Sequence, residues 1–293
     1  MLTMFPTPAV DTIARCSSFF EASPLGDFGA ELSGIDLSAP ISSGIAQELR
    51  SALARFQVLV FRNQSLNPSA QEELTRCFGE FELSVSRRPQ AHQIPGHPNI
   101  LYLSNQPGSV TVDYGKAWHS DGLHYARTPH GATLLYCIAC PTGEGQTWFA
   151  NQYAAHAALP ENVRQKLGDA SWYLPDVLHS EVPHGRGLSQ PIIRTHPETG
   201  NRFIFCSPAA RQLRGMTRAE SEELLKVVHA SQTLEANIYR HAWKPGELVV
   251  WENCTLLHRR AAPVSFELHG LRAMHRSATT GKFSAVECEA AEV

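Results

Sequence analysis

Apolar residues in this chain gather in short blocks, and most of the blocks carry strand rather than helix character. Gln57-Val58-Leu59-Val60-Phe61-Arg62 reads as a buried strand, as do Ala132 to Ala139, Gln146 to Phe149, Leu248 to Trp251, Thr255 to Leu257 and Leu271 to Arg276. These runs are short, apolar and rich in β-branched and aromatic residues. A shorter strand is expected at Ile100 to Leu103, and Asp27 to Leu37 begins the sheet. Ile192 to Thr195 and Arg202 to Phe205, joined through Glu198-Thr199-Gly200-Asn201, form a hairpin pattern. Helix periodicity is rarer. Ile45, Leu49 and Leu53 share a face after a Ser42 or Ser43 cap, predicting a helix to about Phe56. Asn67-Pro68 starts a second, ending near Gly79. Asn151 and Pro160 open short helices, and Thr217 to Glu220 is a capping box for a long one reaching about Tyr239. Many short strands, few helices and no repeating βαβ unit argue against a doubly wound sheet. The expectation is a mainly β fold with flanking helices, a double-stranded β-helix (jelly-roll) core.

Residues 1 to 24 are a weakly patterned arm. Stretches 83–116 and 172–191 are irregular and rich in Pro, Gly and polar residues. Long irregular connections in a compact domain are often lids or binding loops, and the first leads directly into the chemistry described below. No internal repeat or linker divides the chain, so residues 1–293 are expected to form one domain.

At 293 residues, with 43% hydrophobic residues, the chain can bury a sizeable core. The net charge of -3 gives no general attraction for nucleic acid or an anionic membrane, so any anion site must be local. No apolar run has the length of a membrane span, and no signal-peptide pattern opens the chain. Seven scattered cysteines, an odd number in a chain too long to need stapling, point to reduced thiols in a cytoplasm. Cys137-Ile138-Ala139-Cys140 lies in an apolar run and lacks a second pair, which favours buried strand cysteines over a redox or zinc motif.

The chemistry centres on Trp118-His119-Ser120-Asp121-Gly122. In an extended segment, side chains two apart share a face, so His119 and Asp121 can grip one ion together. Two histidines and a carboxylate on one face form the facial triad of oxygen-activating Fe(II) centres. His258, ending the run Val249-Val250-Trp251-Glu252-Asn253-Cys254-Thr255-Leu256-Leu257-His258, is the distant third ligand sought. H-x-D alone arises often by chance. The ordered set of W-H-S-D, G-E-G-Q-T-W-F, V-V-W-E-N-C-T-L-L-H and R-A-M-H-R, preceded by Phe61-Arg62-Asn63-Gln64 and Cys77-Phe78-Gly79-Glu80, does not.

These segments resemble the taurine dioxygenase / 2,4-dichlorophenoxyacetate dioxygenase family of Fe(II)- and 2-oxoglutarate-dependent oxygenases, in the family's order. The resemblance implies that His119, Asp121 and His258 hold Fe(II), with 2-oxoglutarate and O2 as cosubstrates. Arg272 would hold the distal carboxylate of 2-oxoglutarate through its guanidinium fork, with Thr147 adding a hydroxyl donor. Arg276 would hold the acidic group of a small anionic organic substrate. The outcome would be hydroxylation, oxidative cleavage or desaturation, with succinate and CO2 released. Asp121 favours hydroxylation over halogenation, because related halogenases lack this carboxylate. Tyr102, Asn105, Tyr114, His184 and Arg186 are further pocket candidates. Tyr114-Gly115-Lys116-Ala117 does not repeat the asparagine that helps hold taurine, which argues against taurine itself. No nucleic-acid or membrane partner is expected; dimers or tetramers are common among similar proteins, and the sequence leaves open whether this chain is a monomer or a homo-oligomer. Two other classes share parts of the pattern. A zinc hydrolase could use the same three ligands but would need neither Arg272 nor Thr147. A non-catalytic ligand-binding β-helix protein would not need an intact triad.

Overall fold

The structure, a computed structural model, describes residues 17–82, 92–109, 115–123, 126–174 and 186–289. In chain order its strands are β1 (Glu21–Pro24), β2 (Ala30–Ser33), β3 (Val58–Phe61), β4 (Gln93–Ile94), β5 (His97–Ser104), β6 (His130–Ala139), β7 (Thr147–Asn151), β8 (Ser171–Leu174), β9 (Arg186–Pro191), β10 (Ile193–Thr195), β11 (Arg202–Ile204), β12 (Gln212–Leu213), β13 (Ile238–His241), β14 (Leu248–Glu252), β15 (Leu256–Arg260), β16 (Ala273–Thr280) and β17 (Val286–Glu289). The helices are α1 (Ser43–Phe56), α2 (Pro68–Phe78), α3 (Gln152–Ala158), α4 (Glu161–Leu167), α5 (Arg218–Gln232) and α6 (Phe266–His269). The fold is mainly β with flanking helices.

An eight-stranded sheet runs β1-β2-β3-β14-β6-β16-β5-β4, and a three-stranded sheet runs β13-β7-β15. Among the described pairs β2–β3 is parallel and the others are antiparallel, so no doubly wound arrangement forms. The alternation of side chains along a strand gives the large sheet two apolar faces. On one face Leu59, Phe61, Leu134, Tyr136, Leu248 and Val250 pack against Leu49, Leu53 and Phe56 of α1 and Leu74 of α2. On the other, Val58, Val60, Leu135, Cys137, Val249, Trp251 and Met274 meet Phe149 of β7 and Leu256 of β15. Each such side chain, fully removed from water, contributes roughly 1.5–3 kcal/mol. The functional residues sit at one end of this second layer. A further core, with Trp172, Phe203, Phe205 and Leu225, lies around β8, β11 and α5.

The local start signals behave as expected. Ser42 caps α1 by accepting from Ile45 N–H at 3.2 Å, and Asn67 caps α2 by accepting from Ala70 N–H at 2.8 Å. Thr217 and Glu220 close a reciprocal capping box at α5. Helix α5 is shorter than expected, however. It ends at Gln232, and Ile238 and Tyr239, read from sequence as its tail, begin β13, which pairs with β7. No Gly or Pro marks the stop; β pairing of Ile238 and Tyr239 with Ala150 and Phe149 outweighs helical continuation. The stretch 172–191 is also partly regular. Trp172–Leu174 lies in β8, which pairs with β9, with residues 175–185 between them outside the described part.

Candidate metal and cosubstrate site

His119 and His258 come together through their backbones. His119 N–H donates to His258 C=O at 3.0 Å, and His258 N–H donates back to His119 C=O at 2.7 Å. This isolated antiparallel bridge continues the edge of β15 and brings the two imidazole centroids to 4.3 Å. Side chains of the flanking residues turn to the outside, where the Arg259 guanidinium lies 5.3 Å from the Trp118 ring centre and 4.4 Å from that of Trp148. Asp121 completes the group from a turn rather than an extended strand, Leu123 N–H donating to Ser120 C=O at 3.2 Å. Asp121 Oδ1 lies 3.6 Å from His119 Nε2 and 3.7 Å from His258 Nε2. All three donor atoms fall within 4.8 Å of one another.

The donor set fits a metal ion. His119 Nδ1 is 2.8 Å from Ala117 C=O, which can only accept, so the ring proton sits on Nδ1 and the Nε2 lone pair faces the other two ligands. The far oxygen of Asp121 is fixed as well. Oδ2 accepts from the Thr133 hydroxyl at 2.8 Å and pairs with Arg276 Nη2 at 2.9 Å. Asn253, fully buried, ties the loop together. Its carbonyl accepts from Asp121 N–H at 3.3 Å and Trp251 Nε1–H at 3.1 Å, and its amide donates to Thr133 Oγ1 at 2.8 Å. Ser120 Oγ donates to the backbone C=O of Asn253 at 2.8 Å, whereas Asp121 and Trp251 bond its side-chain Oδ1.

The electrostatics separate the two imidazoles. Burial first, and then the neighbouring His119, push His258 down to about 3, so it is neutral at physiological pH. Burial also acts to lower His119, but the hydrogen bond and charge of Asp121 outweigh it and raise it above its ordinary value. Burial alone would raise the Asp121 carboxyl; Arg276 and His258 outweigh that and hold it well below the usual carboxylate range.

Arg272, which directly precedes β16, is 7% exposed. Burial pulls it down to about 10, leaving it cationic at neutral pH. Its Nε is buried without a hydrogen-bond partner. A buried cationic donor left unmatched calls for an acceptor, and a carboxylate meets that need. Thr147 lies in β7 opposite Arg260, and its Oγ1 accepts from Trp243 Nε1–H at 2.9 Å, so its own hydroxyl proton is directed elsewhere.

Of the further pocket candidates, Tyr102 and Asn105 lie among the described residues. Tyr102 pairs in register with His275, and Arg276 pairs with Leu101. Alternation therefore puts Tyr102 on the face opposite Arg276 and Asp121, towards Gln71 of α2, whose amide reaches His275 C=O at 3.2 Å and Ser277 Oγ at 3.1 Å. The Asn105 amide is used internally, donating to Val264 C=O at 3.1 Å and Gly270 C=O at 2.9 Å while its carbonyl accepts from Arg272 N–H at 2.7 Å. It thereby ties the residues on either side of Arg272 together. Tyr114 and His184 lie outside the described residues, as does the side chain of Arg186. Sequence reading missed Thr133, Trp243, His130 and Asn253; of these, only Asn253 lay inside a motif already singled out.

Among the described residues a second group, His196, Glu252 and Cys254, also has the spacing of metal ligands. His196 Nδ1 accepts from Glu198 N–H and Thr199 N–H, both at 3.2 Å, which puts the ring proton on Nε2, donating to Glu252 Oε1 at 3.0 Å. That nitrogen has no lone pair to offer, so the group is a hydrogen-bonded junction.

Comparison with known proteins agrees with this geometry. The family model described as "Taurine catabolism dioxygenase TauD, TfdA family" matches residues 21–277. Similar proteins include an alpha-ketoglutarate-dependent 2,4-dichlorophenoxyacetate dioxygenase of Burkholderia sp. (strain RASC), 27% identical over 87% of this chain and 92% of that protein. An alpha-ketoglutarate-dependent sulfate ester dioxygenase of Pseudomonas putida is 26% identical over 80% of this chain and 81% of its own. Among solved structures, a taurine dioxygenase from Burkholderia xenovorans superposes with a TM-score of 0.77 at 26% identity, covering 94% of this chain and 93% of that one. Fold and site together define an alpha-ketoglutarate-dependent (2-oxoglutarate-dependent) dioxygenase. The chain belongs to the TauD/TfdA family.

Proposed function

We propose that this protein oxidises a small anionic organic substrate at an Fe(II) ion held by His119, Asp121 and His258. The observation that carries the reading is the convergence of those three donors within 4.8 Å, and it is joined by a buried Arg272 guanidinium with an unmatched Nε–H. Bound Fe(II) and 2-oxoglutarate supply O2 activation coupled to oxidative decarboxylation, with succinate and CO2 released. The protein's residues set the stage for it. His119, Asp121 and His258 would hold the ion as a set of two neutral imidazoles and one carboxylate, the donor set of oxygen-activating Fe(II) centres. Arg272 and the Thr147 hydroxyl hold the distal carboxylate of 2-oxoglutarate. Trp251, 4.8 Å from the His258 ring centre, and Phe149 close the inner side against water.

An anionic prime substrate is supported by Arg276, a positive charge at the metal carboxylate in a chain of net charge -3. It is supported too by relatives named for aryloxyacetate, phenoxypropionate and sulfate ester substrates. The large sheet facing β13-β7-β15 is read as the double-stranded β-helix (jelly roll), and the chain as one oxygenase domain. Cytoplasmic location and a homo-oligomeric state belong to the same reading.

Anaerobic addition of Fe(II) and then 2-oxoglutarate tests the proposal. A weak visible charge-transfer band is expected in the wild type and is expected to vanish in Arg272→Ala and His258→Ala. A folded, metal-loaded wild type without the band would favour a hydrolytic or non-catalytic role. Screening sulfonates, aryloxy acids and other organic acids for substrate-dependent succinate release then identifies the prime substrate.

A further inference from the structure

His130 opens β6 and is 2% exposed. Its backbone N–H donates to Asp121 C=O at 3.1 Å. Its ring fills the space above Gly122: a Cβ there would stand 2.8 Å from His130 Cδ2 and 3.0 Å from His130 N. Gly122 has φ +79°, so both its conformation and this contact require glycine directly after the metal-binding carboxylate.

The hydrogen bonds around this ring have one consistent polarity. His130 Nδ1 is 3.1 Å from Arg276 Nη2, and a guanidinium only donates, so Nδ1 accepts. The ring proton is then on Nε2, 3.3 Å from Glu82 Oε2, a carboxylate that only accepts. Glu82 is itself 8% exposed, and its N–H donates to Ala278 C=O at 3.0 Å, anchoring it to the strand that carries Arg276. One nitrogen of Arg276 thus serves two acceptors, Asp121 Oδ2 at 2.9 Å and His130 Nδ1 at 3.1 Å. Nη2 stands between these two acceptors, so turning the guanidinium away from Asp121 also takes it from His130.

We propose that His130, backed by Glu82, is a positioning residue that holds Arg276 against Asp121 Oδ2 and so keeps Oδ1 turned to the metal. The proposal rests on the metal role of Asp121 given above. Residues behind a metal ligand commonly set affinity by about 10–100-fold.

The test separates the two ring nitrogens. Asn at position 130 places its carbonyl near where Nδ1 stood and keeps an acceptor for Arg276. Gln places its amide near Nε2 and keeps only the contact with Glu82. Mn(II) dissociation constants of the metal-free variants are measured from the free-ion electron paramagnetic resonance signal. His130→Asn is expected within about threefold of wild type and His130→Gln weaker by about tenfold or more. Equal affinities, or tighter binding by the Gln variant, would overturn the inference. Should either variant fail to fold, Glu82→Gln and Glu82→Leu make the comparison one bond further out. Only Glu82→Gln, which keeps an acceptor for Nε2–H, is expected to retain wild-type affinity, and equal values overturn the inference. A wild type that binds no Mn(II) would instead refute the metal site itself, and this inference with it.

Discussion

Gly145 lies directly beneath the side chain of Arg272. A Cβ at position 145 would stand 2.8 Å from both Cδ and Nε of Arg272, and Gly145 has φ +63°. The glycine of the G-E-G-Q-T segment therefore makes room for Arg272, the proposed cosubstrate anchor. Gly145→Val is expected to displace the guanidinium and weaken 2-oxoglutarate binding. Loss of one charged hydrogen bond, about 1.5–3 kcal/mol, corresponds to roughly 10–100-fold. Mn(II) affinity is expected to stay unchanged, because Gly145 touches no metal ligand. Parallel titrations with metal and cosubstrate check the separation; equal losses in both would mean that the loop has collapsed.

Thr147 makes a finer prediction. Because Trp243 Nε1–H occupies a lone pair of Thr147 Oγ1, the threonine proton is left to donate. Thr147→Ser keeps that donor and Thr147→Val removes it. The Val variant is expected to raise the 2-oxoglutarate dissociation constant by roughly 3–10-fold, the equivalent of about 1 kcal/mol for a neutral hydrogen bond. The Ser variant is expected near wild type. Calorimetric titration of the Mn(II)-loaded proteins reads the difference.

Asn105 bridges three backbone groups, at Val264, Gly270 and Arg272. Asn105→Ala strands them in a buried place, at about 1–3 kcal/mol for each group left unpaired. A loss of at least about 2 kcal/mol in urea unfolding is expected, together with weaker 2-oxoglutarate binding as the backbone at Arg272 loosens. A stable variant with intact cosubstrate affinity would show that the amide is dispensable.

The split between the histidines sets the pH dependence of metal binding. A histidine binds metal only when neutral. His119 is raised above 6.5 and His258 lies at about 3. Between those values the metal-free protein holds a proton on His119 and none on His258, so each ion bound displaces one proton. The Mn(II) dissociation constant is expected to rise about tenfold per pH unit as pH falls from 6 to 5. A hundredfold rise would mean that both rings are protonated. For folding, the signs oppose. The raised His119 contributes stability that is full below 6.5 and is lost as pH rises through its folded value. The depressed His258 costs stability progressively as pH falls from 6.5 towards 3.

The parts of the fold legible in the sequence are those written within a few residues. Ser42, Asn67-Pro68 and the Thr217 to Glu220 box mark helix starts because each cap bonds to a backbone N–H three residues on. The strands at 58–61 and 248–252 are legible because both of their faces are buried, which leaves a continuous apolar run. β13 was misread for a related reason. Aromatic and apolar residues alone do not reveal which face of a sheet they occupy, or whether a helix yields to a strand partner distant in sequence.

By itself, the sequence determined the ordered motifs and, through their likeness to a family, the identities of His119, Asp121, His258, Thr147 and Arg272 as residues to examine. Tertiary structure alone decided that the His119 and His258 backbones bond to each other, that Asn253 and Thr133 fix the carboxylate, and that His130 and Glu82 stand behind Arg276. Contacts of this kind join segments more than a hundred residues apart, as from Thr133 to Asn253. They leave no period or spacing in the chain, because they arise only when packed sheets bring those segments together.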